Sequence, residues 1–206
     1  YKHYLSRPAA VNPVLADAYR QYAQGVLDNI KPPSDGLIVE LGSNDGAFLN
    51  YFKERGTTVL GVDPAENLAE SATKMGVQTI PTFFSSKVAS QIKAKHGSAS
   101  VIISNFAYAN MDNLDDITEG IRDLLTPDGV FMFETNYRVD VFQKHLVETI
   151  THEHLSYFSA KPLKDFFPRH GMELIDIEGV PSKGGSIRCT AQLAGGPRPV
   201  SPEVQK

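Results

Sequence analysis

Cysteine is almost missing from this sequence of 206 residues: Cys189 stands alone. No internal disulfide framework and no four-cysteine zinc site can be built from one thiol, and a reducing, cytoplasmic setting is the expectation. Long hydrophobic runs are missing too; none approaches the roughly 20 apolar residues that span a bilayer. Positive charge is scattered and slightly outnumbered, with Lys+Arg 20 against Asp+Glu 24 and a formal charge of −4. That balance excludes a strong electrostatic footprint for nucleic acid or a polybasic membrane surface. No repeat recurs at a fixed period and no tract is of low complexity, so solenoids and propellers are excluded. The first residue is not methionine and no charged-then-apolar leader follows it, so the chain reads as a piece of something longer.

What is present is a hydrophobic fraction of 41%, enough for one globular domain of this length. Apolar residues near helical spacing run from Pro13 to Ile30, and Pro32-Pro33-Ser34-Asp35-Gly36 breaks that pattern. The short run Leu37–Leu41 follows as a strand buried on both faces. Further strands are expected at 58–62, 77–80, 100–104, 129–134, 172–177 and 186–193, with helices around 47–55, 65–74, 85–95, 114–125 and 162–170. This alternation predicts an α/β fold: a doubly wound, mostly parallel, seven-stranded Rossmann-like sheet. Its last two strands follow one another and should close it as an antiparallel hairpin. The expected organisation is a helical lead-in over 1–35, a catalytic domain over 36–193 and a linker-like tail over 194–206.

In open parallel sheets the ligand lies beyond the carboxyl ends of the strands. That directs attention to Val39–Phe48, VELGSNDGAF. Gly42 and Gly46 allow a sharp turn and close backbone approach, and a helix opens after them. A dinucleotide loop keeps its second glycine bare for pyrophosphate; here that position is Asn44, next to Asp45, whose carboxylate would oppose phosphate. S-adenosylmethionine, with a cationic sulfonium and amine and no phosphate, suits such a turn. Asp63, closing the second strand in LGVDP with Pro64 after it, is placed to accept from two ribose hydroxyls. It could also cap the next helix, as Asp before a helix often does. Glu40, Gly42, Ser43, Asn44, Gly46, Asp63 and Pro64 are therefore the candidate cofactor residues. Asn105 after the fourth strand and Phe83 and Phe84 after the third are candidates for its rim, core packing being the ordinary fate of the phenylalanines.

A second concentration of ionisable groups lies in Glu148–Ser159, ETITHEHLSYFS. In an extended segment His152 and His154 would share one face, with Thr151 and Glu153 on the other. Three readings stay open: a metal pair joined by His145, a structural polar turn, or general acid–base chemistry by a histidine beside a carboxylate.

VELGSNDG, the LGVDP acid, GVFMFETNY, THEHLSYFS and GGSIR together resemble, over nearly the whole chain and in order, the sugar 3-C-methyltransferases that act on nucleotide-linked 4-keto-6-deoxy sugars. The resemblance implies a class I methyltransferase fold, S-adenosylmethionine as cofactor, and C-methylation of a small-molecule acceptor in natural-product or polysaccharide biosynthesis; no metal is expected at the site, since the His pair lacks a third ligand at firm spacing. It implies that Glu153 and His154 serve the base chemistry and that Tyr4 contacts the acceptor. It also implies a four-cysteine zinc domain before this segment and a second Rossmann-like domain after it in the parent chain. Thr151 and Asn110 stand where the family carries Tyr and His, which leaves the acceptor open between a nucleotide sugar and a carrier-bound ketone.

In the expected mechanism, His154 assisted by Glu153 removes the proton alpha to a ketone and the enolate is methylated. Tyr4, Tyr108, Asn110 and Tyr137 are candidate enolate donors, and Arg188 is a candidate for a substrate phosphate. Alternatives are a small-molecule O- or N-methyltransferase, a methyltransferase-like domain of a larger synthase with altered or no turnover, and, more remotely, a nicotinamide oxidoreductase.

Overall fold

The structure is a computed structural model that describes residues 12–205. Helix α1, Pro13–Ile30, starts where Asn12 accepts a hydrogen bond from the Leu15 amide and Pro13 fixes the first turn; it stops at Lys31, in the left-handed region before two prolines. The remaining helices are α2 (Ala47–Lys53), α3 (Glu66–Lys74), α4 (Ser86–His96), α5 (Leu114–Leu124), α6 (Arg138–Gln143), α7 (Ala160–Phe166) and α8 (Pro202–Gln205). The strands are β1 (Leu37–Leu41), β2 (Thr58–Val62), β3 (Thr79–Ile80), β4 (Ala99–Asn105), β5 (Leu125–Asn136), β6 (Met172–Val180) and β7 (Ser186–Leu193).

They form one seven-stranded sheet in the order β3-β2-β1-β4-β5-β7-β6. All neighbours are parallel except β7, which runs antiparallel to both β5 and β6. The doubly wound sheet and its closing hairpin are thus as the alternation predicted. Two apolar layers cover it. Tyr22, Val26, Phe48, Leu49 and Phe52 pack on one face, and Ile117, Ile121, Leu124, Leu163 and Phe167 on the other. Covering both faces explains why β1 is buried at all five positions. The chain leaves β1 for β2 and β3 on one side and returns to β4 on the other, so the loops after β1 and β4 part and open a crevice between them.

Three local expectations differ. The helix expected over 162–170 is α7 followed by a tighter 3₁₀ turn over Phe167–His170, because Pro168 has no N–H for the α-helical ladder. Helix α6 went unpredicted; of its residues only Val141 is buried and Phe142 is 67% exposed, so it carries no apolar stripe to read. The tail expected to be linker-like packs against the domain over its described part. Ser201 donates to the Ile175 carbonyl at 2.7 Å, Gln192 bridges to the Arg198 backbone at 2.8 and 3.1 Å, and Val204 on α8 is buried. Its Gly-Pro composition hides one apolar anchor held by backbone hydrogen bonds.

Candidate active site

The crevice is an open cleft of about 1740 Å³, walled by α1, the loops after β1 to β4, the 153–155 turn and the β5–β7 side of the sheet. Drug-sized ligands usually occupy about 300–1,000 Å³, so there is room for two ligands side by side.

At the β1 end, backbone geometry is set by sequence. Gly42 has φ +76°, and a Cβ there would lie 2.4 Å from the Ala107 Cβ. Asn44 holds φ 52°, a left-handed position that Asn tolerates. Asp63 ties this turn to β2: its Oδ2 accepts from the Asn44 amide at 2.8 Å and its Oδ1 from the Ala65 amide at 2.8 Å. It therefore braces the entry to α3, as a capping residue would, while also lining the cleft. Each carboxylate oxygen keeps a further lone pair for a hydroxyl. Burial raises its pKa and the two amide hydrogen bonds oppose that rise.

Glu40 lies beneath the turn, 4% exposed. Its Oε1 receives a long hydrogen bond of 3.5 Å from Asn105 Nδ2, while Glu40 Oε2 and Asn105 Oδ1 are buried with no partner. Burial pushes the Glu40 carboxyl well above the ordinary carboxylate range, the Asn105 hydrogen bond works against this, and Asp63 and Asp45 add to it.

Gly42, Asn44, Asp63, Pro64, Phe83, Phe84, Asn105 and Glu153 all line the cleft. Phe83 is 66% exposed at its rim, whereas Phe84 is 7% exposed and belongs to the core as well. Gly46 caps α2 with φ +77°. Ser43 is buried with its side chain toward Gly61; these two shape the turn from behind. Tyr4 lies outside the described residues.

The 147–159 segment is not extended. A 3₁₀ turn at Val147–Thr149 precedes a second turn in which the His154 amide donates to the Thr151 carbonyl at 3.2 Å. The turn is anchored by the Ser156 amide on the Ala109 carbonyl (3.0 Å) and the Arg138 amide on the Phe158 carbonyl (2.9 Å). Winding separates the neighbours: Glu153 faces the cleft, while His154 sits behind it, half-buried, with Nδ1 2.7 Å from the Thr149 carbonyl oxygen. A carbonyl can only accept, so Nδ1 is the donor, and in the neutral imidazole the free lone pair is then on Nε2. The His154 ring is thus held by the Thr149 carbonyl, not by Glu153, and that carbonyl also accepts from the Tyr157 hydroxyl at 3.2 Å. Among the described residues no three His, Cys, Asp or Glu side chains gather as a metal site.

Of the expected enolate donors, Tyr108 is fully buried with its hydroxyl 2.6 Å from Thr118 Oγ1. Asn110 lines the cleft but spends its Nδ2 on the Phe106 carbonyl at 3.3 Å. Arg188, expected to meet a phosphate, is held by Glu134: its Nε and Nη2 donate to Oε2 at 3.2 and 2.8 Å. Glu134 Oε1 in turn accepts from Ser182 Oγ at 2.5 Å. Tyr19, Tyr22, Glu134 and Lys183 are cleft residues that the sequence reading did not single out. Glu134 carried the same signal as Glu40, a carboxylate at the end of a buried apolar strand.

The family described as a methyltransferase domain matches residues 14–177. The C-methyltransferase NovU of Streptomyces niveus is 40% identical over 172 residues, which is 83% of this chain and 41% of that protein; the chain thus spans about two fifths of this curated relative. The YcgJ protein of Bacillus subtilis superposes with a TM-score of 0.65 at 12% identity over 85% of this chain and 100% of that one. Magnesium protoporphyrin IX methyltransferase ChlM of Synechocystis PCC 6803, solved with bound SAH, gives a TM-score of 0.62 at 13% identity, covering 93% of this chain and 91% of that one.

Proposed function

The chain belongs to the methyltransferase domain family, and from that premise we propose that it is an S-adenosylmethionine-dependent C-methyltransferase acting at the carbon alpha to a ketone in a small-molecule acceptor. The observation that carries the cofactor half is the acidic, glycine-bared turn braced by Asp63, above a buried Glu40 oxygen and a buried Asn105 oxygen that lack partners. Unpartnered buried acceptors call for donors or positive charge. The ammonium and sulfonium of S-adenosylmethionine supply both, so the residues present fit it. Asp63 would hold the ribose, Asn44 and Gly42 the chain near the sulfonium, and Phe83 and Phe84 the adenine. When bound, the cofactor offers an electrophilic methyl group.

The acceptor half rests on the His154 turn and on the 40% identity to a C-methyltransferase. A carbon acceptor must first lose a proton, and His154 is the base, its Nδ1 held by Thr149; the step requires the 151–155 turn to shift so that Nε2, which lies behind the Glu153 wall, reaches the acceptor. A positioned general base contributes about 10²- to 10⁴-fold, and orientation of the reacting pair about 7–11 kcal/mol. A 4-keto deoxysugar linked to a nucleotide, or a related carrier-bound ketone, is the acceptor class. Seven carboxylates line the cleft against two cations, which favours the neutral sugar inside and the diphosphate outside.

The test is solvent exchange of an alpha-deuterated nucleotide-linked 4-keto-6-deoxyhexose in the presence of S-adenosylhomocysteine, followed by mass spectrometry. Deuterium should wash out with the wild type and be retained by His154→Ala, with Glu153→Gln slowed less. Washout persisting in His154→Ala rejects the base assignment. Methyl transfer to a hydroxyl or amine without any exchange rejects C-methylation.

A further inference from the structure

The two cations of the cleft are not equivalent. Arg188 is committed: besides Glu134 it lies 3.4 Å from Glu178, and its guanidinium stacks 3.6 Å over the Tyr22 ring. Lys183 has no carboxylate partner among the described residues. Its ammonium sits 3.7 Å over the face of Phe106, on the cleft wall. A ring face holds a cation but supplies no acceptor for its N–H bonds. Those pointing away from the ring stay available to a ligand.

This placement is enforced by backbone that side chains rarely adopt. Phe106 has φ 53° and Lys183 φ 48°, both in the left-handed region, which is unusual for bulky residues and clusters at functional sites. Phe106 directly follows Asn105 at the end of β4, and its amide is pinned to the Glu134 carbonyl at 2.8 Å, so it cannot relax without breaking that bond. Lys183 sits in the turn before β7. Two strained residues from different loops thus meet to hold one ammonium between the cofactor end of β4 and the cleft wall shared with Glu153. Desolvation lowers the Lys183 pKa, with Glu134 and Glu153 acting against it.

We propose that Lys183 is a catalytic residue that donates a hydrogen bond to the acceptor's carbonyl oxygen as that oxygen becomes an enolate. The proposal rests on the alpha-deprotonation reading above. In that step the alpha C–H bond breaks, its proton passes to the base nitrogen, and its electron pair forms the C=C bond. The carbonyl π pair moves onto oxygen as negative charge facing the ammonium. In a cleft where carboxylates outnumber cations, an enolate has few places to form, and one preorganised donor of positive charge decides where.

The intact protein, S-adenosylhomocysteine and the alpha-deuterated nucleotide-linked 4-keto-6-deoxyhexose provide the test, comparing wild type, Lys183→Met and Lys183→Arg. The Met variant should exchange at least about 100-fold more slowly, with its affinity for the keto probe changed less than about threefold and its thermal midpoint unchanged. The Arg variant should recover part of the rate. The wild-type rate should fall on the alkaline side as Lys183 loses its proton, and Arg should move that fall to higher pH. Exchange by the Met variant within about threefold of wild type overturns the assignment, as does a loss confined to probe affinity, which would make Lys183 a binder of the probe's diphosphate. Absence of exchange in the wild type itself overturns the alpha-deprotonation reading and this proposal with it, and the wild-type control tells the two failures apart.

Discussion

Glu40 and Asp63 illustrate how single residues shape the candidate site. Both are carboxylates at the ends of buried strands, and both are raised in pKa chiefly by desolvation. Asp63 has two amide donors to offset this, whereas one oxygen of Glu40 has none. An unfolded glutamate titrates near pH ~4.3. With a higher folded value, the folded state holds the proton more tightly, so Glu40's contribution is fully present below pH ~4 and is lost as pH rises through the folded pKa. Glu40→Gln should therefore flatten the fall of the thermal midpoint as pH rises above the ordinary glutamate range in ligand-free protein, and raise the midpoint at the alkaline end. Each kcal/mol relieved corresponds to about 2–4 °C for a domain of this size. The same variant should weaken S-adenosylhomocysteine binding. Parallel wild-type and variant curves would mean that Glu40 carries no uncompensated charge.

Among the elements, the turn between β1 and α2 is the most constrained, because backbone approach rather than side-chain chemistry fixes it. Gly42→Ala puts a methyl group 2.4 Å from the Ala107 Cβ at φ +76°. Adding the left-handed penalty to overpacking gives a loss of about 2–5 kcal/mol, seen as a lower midpoint in a calorimetric melt together with weaker cofactor binding. An unchanged melt would show that the β4 loop moves aside freely. This turn was legible in the sequence, since glycines after a short apolar run leave few alternatives, and so were β1, β2, β7 and α1. Elements without a one-sided apolar pattern, such as α6, were not. A polar turn is one of three readings that the sequence leaves open for 148–159, because spacing alone, which would put His152 and His154 on one face of an extended segment, does not reveal the hydrogen bond from the His154 amide to Thr151. Lys183 was illegible for a related reason: the role proposed for it rests on a contact with Phe106, 77 positions earlier, that depends on two unusual backbone conformations.

At the scale of the whole molecule, one sheet with apolar layers on both faces leaves the carboxyl ends of its parallel strands as the place where polar side chains converge. Fold and cofactor end follow from strand alternation and could be read early. The proposed acceptor end is the part of the cleft walled by α1, the β4 loop, the 153–155 turn and the turn before β7, which only the three-dimensional arrangement brings together. The central claim is that this cleft binds S-adenosylmethionine through the Asp63-braced turn. Isothermal titration of the folded protein with S-adenosylhomocysteine tests it most directly. Saturable one-to-one binding is expected, weakened more than about tenfold, or about 1.4 kcal/mol, in a folded Asp63→Ala variant, and no comparable heat with NAD. Absence of binding to the nucleoside, or unchanged affinity in the Asp63 variant, would contradict it.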